Sequence, residues 1–213
     1  MKSTTLTLDA TDARTTDAPR AESTLAHLGT AAIYTLVTVV LLGIVYPLAM
    51  TGIALLVFPN QANGSLVRVD GKIVGSDLIG QLWTKPQYFQ GRPSAAGKNG
   101  YDPTATGGTN LGPSSKKLID ATKATIASLK KANPDATVPI PMDLVTSSAS
   151  GIDPDISPEA AAYEAPRVAK ARDLPLASVE AIVAHATHGR ALGFLGEPHV
   201  NVMELNLALD AKP

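Results

Sequence analysis

The chain contains no cysteine, which excludes disulfides, thiolate metal sites, iron–sulfur clusters and cysteine nucleophiles in one step. That absence leaves the compartment open, because a cysteine-free domain is at home in either redox environment. Charge is scarce too, at 17% of residues, and aromatics make up 4%. Lysine and arginine number 18 against 19 acidic residues, a balance that offers no basic face for nucleic acid. The most informative gap is local: from Ser23 to Val67 there is no Asp, Glu, Lys or Arg.

What fills that gap is Ala, Ile, Leu and Val, densest from Thr30 to Phe58. A bilayer core of roughly 30 Å needs about 20 such residues in a helix, so the run is long enough to cross with tilt. A buried core helix is rarely apolar around its whole circumference for this length. A cleaved signal peptide carries a shorter apolar run, closer to the start, with a small-residue cleavage site. Pro47 lies inside the run, frees the carbonyl four residues back and is expected to kink the helix. Packing against other helices would satisfy the freed group. Arg14 and Arg20 on one flank match Arg68 and Lys72 on the other, so charge leaves the orientation undecided.

The expected organisation is a polar mobile tail over 1–26, a transmembrane helix over 27–58 and a soluble domain over 59–213, a size that allows one ordinary core. Ser65 to Val74 predicts a hairpin turning at Asp70-Gly71, since that pair tolerates the positive φ angles of a type I′ turn. Between Lys85 and Gly112 lies a long loop rich in Gly, Pro, Ser, Thr and Asn. Pro113 opens an expected helix to about Ala132, with Leu118, Thr122, Ile126 and Leu129 on one face and Asn133-Pro134 as the stop. Ile140 to Thr146 is expected as a short strand. Ser157-Pro158-Glu159 starts a helix that Pro166 should break or kink. Val179, Ile182, Val183 and Ala186 mark another helix ending near Gly189, and Val200 to Leu209 alternates like a last strand. Helices and strands interleave, so the fold class is α/β or α+β.

No complete catalytic set emerges. Ser114-Ser115-Lys116-Lys117 has the Ser-x-x-Lys spacing, but the Lys-Thr-Gly and Ser-Asp-Asn partners of such hydrolases are missing. Gly91 to Asn99 lacks the spacing and the hydroxyl of a phosphate loop. An Asp-Lys-Thr-Gly phosphorylation sequence is absent as well. His185 and His188 stand three apart without an intervening glutamate, and Asp153, Asp155 and Glu159 read as turn formers and helix-start charges. A membrane-anchored serine hydrolase using Ser114 and Lys117 and a solute-binding sensor remain the rival readings. The stretches Tyr88-Phe89-Gln90-Gly91-Arg92-Pro93-Ser94-Ala95, Tyr101-Asp102-Pro103 and Gly107 to Ser114 suit a shaped loop that docks by hydrogen bonds. Gly91, Arg92, Pro93, Ser94, Asn110, Gly112 and Ser114 are its candidate interface or loop-bracing residues.

At these residues the sequence resembles the KdpC family, the C subunits of Kdp potassium-transporting ATPases. The likeness also runs through Tyr46-Pro47-Leu48, Gly75-Ser76-x-Leu78-Ile79-Gly80-Gln81, Pro141-x-Asp143-Leu144-Val145-Thr146 and Ser150-Gly151-Ile152-Asp153-Pro154. It continues in Arg167-Val168-Ala169, Gly189-Arg190-x-Leu192-Gly193 and Leu195-Gly196-Glu197-Pro198-x-Val200-Asn201-Val202. Thr109 stands where the family more often has serine, and His199 where it often has arginine. The resemblance implies a bacterial inner-membrane complex with three partners for this chain: a channel-like potassium-binding subunit, a phosphorylated ATPase subunit and a small lipid-embedded subunit. It implies a cytoplasmic N-terminus, a periplasmic C-terminal domain and an accessory role described for the family as a catalytic chaperone that raises ATP affinity. ATP and potassium would then be handled by the complex, with no metal, cofactor or nucleic acid assigned to this chain.

Overall fold

The structure, a computed structural model, describes residues 23–211. The expected polar tail lies almost wholly outside the described residues. Two compact units divide at Phe58 and Pro59.

Among the described residues the first unit holds one continuous helix, Thr24–Val57, 34 residues long, with a mean hydropathy of 2.3 in its most apolar window and none of that window buried. At about 1.5 Å per residue it exceeds the roughly 30 Å of a hydrocarbon core, so it is long and apolar enough to cross a membrane. Ser23 caps it by accepting from the Ala26 N–H. The helix begins as α1 (Thr24–Thr38) and ends as α2 (Tyr46–Val57). Between them, just ahead of Pro47, the winding widens into π-helix over Val39–Val45, and the Tyr46 N–H reaches back to the Leu41 carbonyl. A proline ring leaves the carbonyl four residues back without its donor, and a wider turn is one way to absorb that gap.

The second unit starts with a short helical turn, α3 (Pro59–Ala62), and the expected hairpin. Strands β1 (Leu66–Val69) and β2 (Lys72–Ser76) pair antiparallel, and Asp70 and Gly71 at the turn have φ of 50° and 76°. Helix α4 (Lys116–Ala132) begins three residues later than expected. Its half-buried face carries Leu118, Thr122, Ile126 and Leu129 as the spacing requires. Asn133 ends it, buried, with its side-chain amide donating to the Tyr163 carbonyl.

No strand forms over Ile140 to Thr146. Pro139 and Pro141 have no N–H for a ladder, and Met142–Leu144 winds into a 3₁₀ turn whose Asp143 carboxylate accepts the Ser157 N–H at 2.7 Å. The sheet that does form is small and antiparallel, in the order β3 (Asp155–Ile156), β5 (His199–Asn201), β4 (Thr187–His188). All described pairings are antiparallel, which selects α+β from the two expected classes.

Helix α5 (Pro158–Arg172) is the hub. Ser157 caps it through the Ala160 N–H at 3.0 Å, with Pro158 and Glu159 in its first turn. The helix continues through Pro166 rather than stopping there. Its alanines at 160, 161, 165 and 169, with Val168, are buried against Val179, Ile182 and Val183 of α6 (Leu176–Ala186) and against Val200. Thus α6 ends at Ala186, before Gly189, because Thr187 turns extended to join the sheet.

The expected last strand is instead one short strand followed by helix α7 (Val202–Asp210). Asn201 caps that helix by accepting from the Met203 and Glu204 N–H groups at 3.1 and 3.2 Å. Val202, Leu205, Asn206 and Leu209 then fall on one buried face, a spacing of three and four rather than two. The hairpin is tied to this layer by the Asn201 amide, which donates to the Asp77 carbonyl at 2.9 Å.

Candidate functional site

The long Gly/Pro-rich segment has no strand or helix of its own, yet Phe89 and Ala96 within it are completely buried. Burying a phenylalanine contributes about 1.5–3 kcal/mol, but the accompanying backbone groups must still find partners. Side chains supply them. Asn206, fully buried on α7, accepts the Phe89 N–H at 2.8 Å and donates to the Phe89 carbonyl at 3.0 Å, as a neighbouring strand would. Glu164 accepts the Gln90 N–H at 2.7 Å. The Arg167 guanidinium donates to the Pro86 and Tyr88 carbonyls at 2.5 and 3.1 Å and pairs with Glu164 at 2.9 Å. Arg172 donates to the Gln87 carbonyl at 2.7 Å, pairs with Asp210 and lies 5.1 Å from the centre of the Tyr88 ring. Residues 86–90 are therefore held as a strand is held, by four polar side chains in place of a sheet.

Beyond Phe89 the chain bends around a cavity of about 310 Å³. Gly91, Arg92, Pro93 and Ser94 form one wall, Gln81, Leu82 and Trp83 a second, and α4 a third. Arg92 pairs with Asp153 at 3.0 Å, while its Nε and the Trp83 indole N–H are buried without a partner. Ser94 Oγ donates to the Gly151 carbonyl at 2.5 Å and accepts from the Tyr101 N–H at 2.7 Å. The Tyr101 hydroxyl donates to the Arg92 carbonyl at 2.5 Å. Four of the seven candidate loop residues thus come together here. Asn110, with φ of 49°, Gly112 and Ser114 do not: they are exposed on the connector that leads into α4.

Burial pushes the Glu164 carboxyl above the ordinary carboxylate range, opposed by the Arg167 guanidinium and the Gln90 N–H. Burial, reinforced by Asp153 and opposed by Arg92, pushes the Tyr101 phenol from 10.0 to about 12. A folded-state pKa raised in this way stabilises the protein below pH 10 and loses that contribution as pH climbs toward 12. Tyr101→Phe is accordingly expected to flatten the alkaline limb of a stability-against-pH curve between those values. Equal losses in wild type and variant would contradict the assignment.

The expected chemistry candidates are dispersed. Ser114 and Lys117 are both exposed, and the lysine of α4 that pairs, with Asp120, is Lys116. His188 meets Glu204 at 3.0 Å and stacks on His199 at 5.4 Å, rather than joining His185 on one ion. Among the described residues no group of three or more His, Asp or Glu side chains is placed to hold a metal ion. Asp153 serves as a turn former, accepting the Asp155 N–H at 3.1 Å.

Sequence reasoning passed over Glu164, Arg172 and Asn206, and met Arg167 only as part of the family likeness, with no role. The signal was there in outline: Glu164 and Arg167 sit one turn apart among alanines and Val168, on the face of α5 that the helical period makes apolar. Charges on a core face are either paired or displaced, and a pair of opposite sign at this spacing favours the first.

An apolar helix long enough to cross a membrane, followed by a small α+β domain whose polar groups brace its own backbone, is the layout of a single-span membrane protein. The chain belongs to the KdpC family: the model of that family, described as "KdpC: K+-transporting ATPase, c chain", matches residues 28–211. Relatives named potassium-transporting ATPase KdpC subunit include that of Methylococcus capsulatus, 51% identical over 87% of this chain and 97% of its own length. Those of Nitratidesulfovibrio vulgaris and Sorangium cellulosum are both 53% identical, over 84% and 87% of this chain and 91% and 98% of their own lengths.

Proposed function

We propose that this chain is the non-catalytic accessory subunit of an ATP-driven potassium-uptake complex. Thr24–Val57 crosses the bacterial inner membrane once, with the N-terminus cytoplasmic and 59–213 as a periplasmic domain. A channel-like potassium-binding subunit and a phosphorylated ATPase subunit are its partners, with a small lipid-embedded subunit beside them. ATP and potassium are handled by those chains, and this one stabilises the assembly and assists the ATPase. The observation that carries the reading is the family match, which runs unbroken from within the span to the last helix. Glu164, Arg167 and Asn206 support it, because their polar atoms are committed to holding the chain's own backbone. Gly91, Arg92, Pro93 and Ser94 brace the loop of this domain, and Asn110, Gly112 and Ser114 offer the exposed edge for a partner.

The test is purification of the potassium-transporting complex from cells lacking this chain. Expected is a complex that falls apart or fails to transport. An intact complex with normal uptake would overturn the proposal.

A further inference from the structure

Between β4 and β5 the chain leaves the domain as a narrow arm, residues 189–198, every one of them exposed. Ala191 and Leu195 pair across it, with N–H to carbonyl distances of 2.8 and 2.9 Å. Leu192 and Gly193 at its tip have φ of 54° and 83°. A leucine in the left-handed region is uncommon, since its Cβ crowds the backbone there. Arg190 clasps the arm below the tip, donating to the Gly196 carbonyl at 2.7 Å and pairing with Glu197. The tip so held presents Leu192, Phe194 and Leu195 to solvent, exposed by 84, 69 and 50%. An exposed apolar cluster on a braced arm marks an interaction site, whereas single scattered leucines do not.

Charge decides what covers it. Residues 191–196 carry no charge, and Arg190 is already paired with Glu197. At the arm's root, where His188 pairs with His199 in the sheet, a cavity of about 430 Å³ is lined by Asp77, Asp155 and Glu204 together with the two imidazoles. Three carboxylates lining one recess make the root anionic. An anionic lipid surface would be repelled by such a root and would find no free cation on the arm. A second copy paired through this same face would offer only the same acidic root and the same arm, whose one cation, Arg190, is already paired. A protein recess with apolar walls and a basic rim meets both parts of the arm.

We propose that residues 189–198 are a docking arm whose tip, Leu192, Phe194 and Leu195, seats in an apolar, basic-rimmed recess of a neighbouring chain in the same ATPase assembly. This rests on the accessory-subunit reading above. The aromatic tip residue is the anchor, and the acidic root sets orientation and partner choice.

The experiment places a benzophenone amino acid at position 194 of the full chain and irradiates native membranes holding the whole complex. A covalent adduct with another chain of the complex is the expected result. Adducts with lipid, adducts with a second copy of this chain, or none at all would each overturn the inference. In parallel, the double variant Leu192→Ser with Phe194→Ser is expected to reduce recovery of this chain with the complex by at least about tenfold, in line with loss of an interface anchor. Its melting temperature should stay that of wild type, because neither side chain contributes to the domain core. Wild-type recovery at full yield in the double variant would again overturn the arm. Failure of the wild-type chain itself to co-purify would instead sink the accessory-subunit reading, so the two failures are told apart.

Discussion

In thermal unfolding of the full chain, followed through its single tryptophan, Arg167→Ala is expected to lower the transition of the soluble domain more than any surface substitution does. Trp83 is a suitable reporter, since its ring lies 4.9 Å from that of Tyr88, whose carbonyl Arg167 holds. Three losses coincide in this variant. The Pro86 and Tyr88 carbonyls lose their donors, and Glu164, 1% exposed, keeps a carboxylate whose counter-ion has gone. Breaking a buried pair from one side costs about 3–5 kcal/mol, because the remaining charge is stranded away from water. At roughly 2–4 °C per kcal/mol for a domain of this size, the midpoint should fall by about 10 °C. Arg167→Lys should recover little. A single ammonium lacks the planar fork that reaches Glu164 and two carbonyls at once. A midpoint within a degree or two of wild type for Arg167→Ala would show that residues 86–90 are not held in the way described.

This network also explains how far the sequence could be read. The span, the hairpin at Asp70-Gly71 and the start of α5 were legible because each is announced locally: a charge-free run, a turn dipeptide, a capping serine before a proline. The final segment was misread because Val200 to Leu209 satisfies a period of two and a period of three to four together. Asn201 followed by Glu204, a cap residue with an acidic side chain three positions on, was the deciding sign. Ile140 to Thr146 failed as a strand for one local reason, the missing N–H groups of Pro139 and Pro141, and for one that lies elsewhere in the chain: its Asp143 is taken by the Ser157 N–H across fourteen positions. The cavity walls were half legible. Gly91 to Ser94 were singled out by composition, whereas Arg92 and Ser94 find Asp153 and the Gly151 carbonyl 61 and 57 positions away, and the neighbouring Gln90 and Phe89 are held from α5 and α7 by residues 74 and 117 positions away. Pairings over such distances leave no periodic trace in a single sequence.

A second large effect follows from the other side of the same loop, where glycine is a matter of space. Gly151 is buried with φ of 70°, and a Cβ there would stand 2.8 Å from the Ala96 N, the Ala96 Cβ and the Gly107 carbonyl oxygen. Its own carbonyl accepts the Ser94 hydroxyl, and its N–H donates to Ser148 Oγ at 2.8 Å. Backbone atoms cannot step aside as a flexible side chain would. Gly151→Ala should therefore combine about 1–2 kcal/mol for an alanine in the left-handed region with about 1–3 kcal/mol for overpacking. The displaced segment carries Ala96 and, through Ser94, the turn that positions Tyr101, so the cavity walls should loosen together. Gly107→Ala is the control, because a Cβ at that position meets nothing within 4 Å. The measurement is hydrogen exchange of the Tyr101 and Asp102 amides, which bond to Ser94 Oγ and the Ala96 carbonyl, alongside the melting midpoint. Faster exchange and a midpoint lowered by several degrees are expected in Gly151→Ala, with neither in Gly107→Ala. Equal behaviour of the two variants would mean that residues 91–108 do not pack on Ser148 to Gly151, and the cavity formed by that loop would then have no fixed wall.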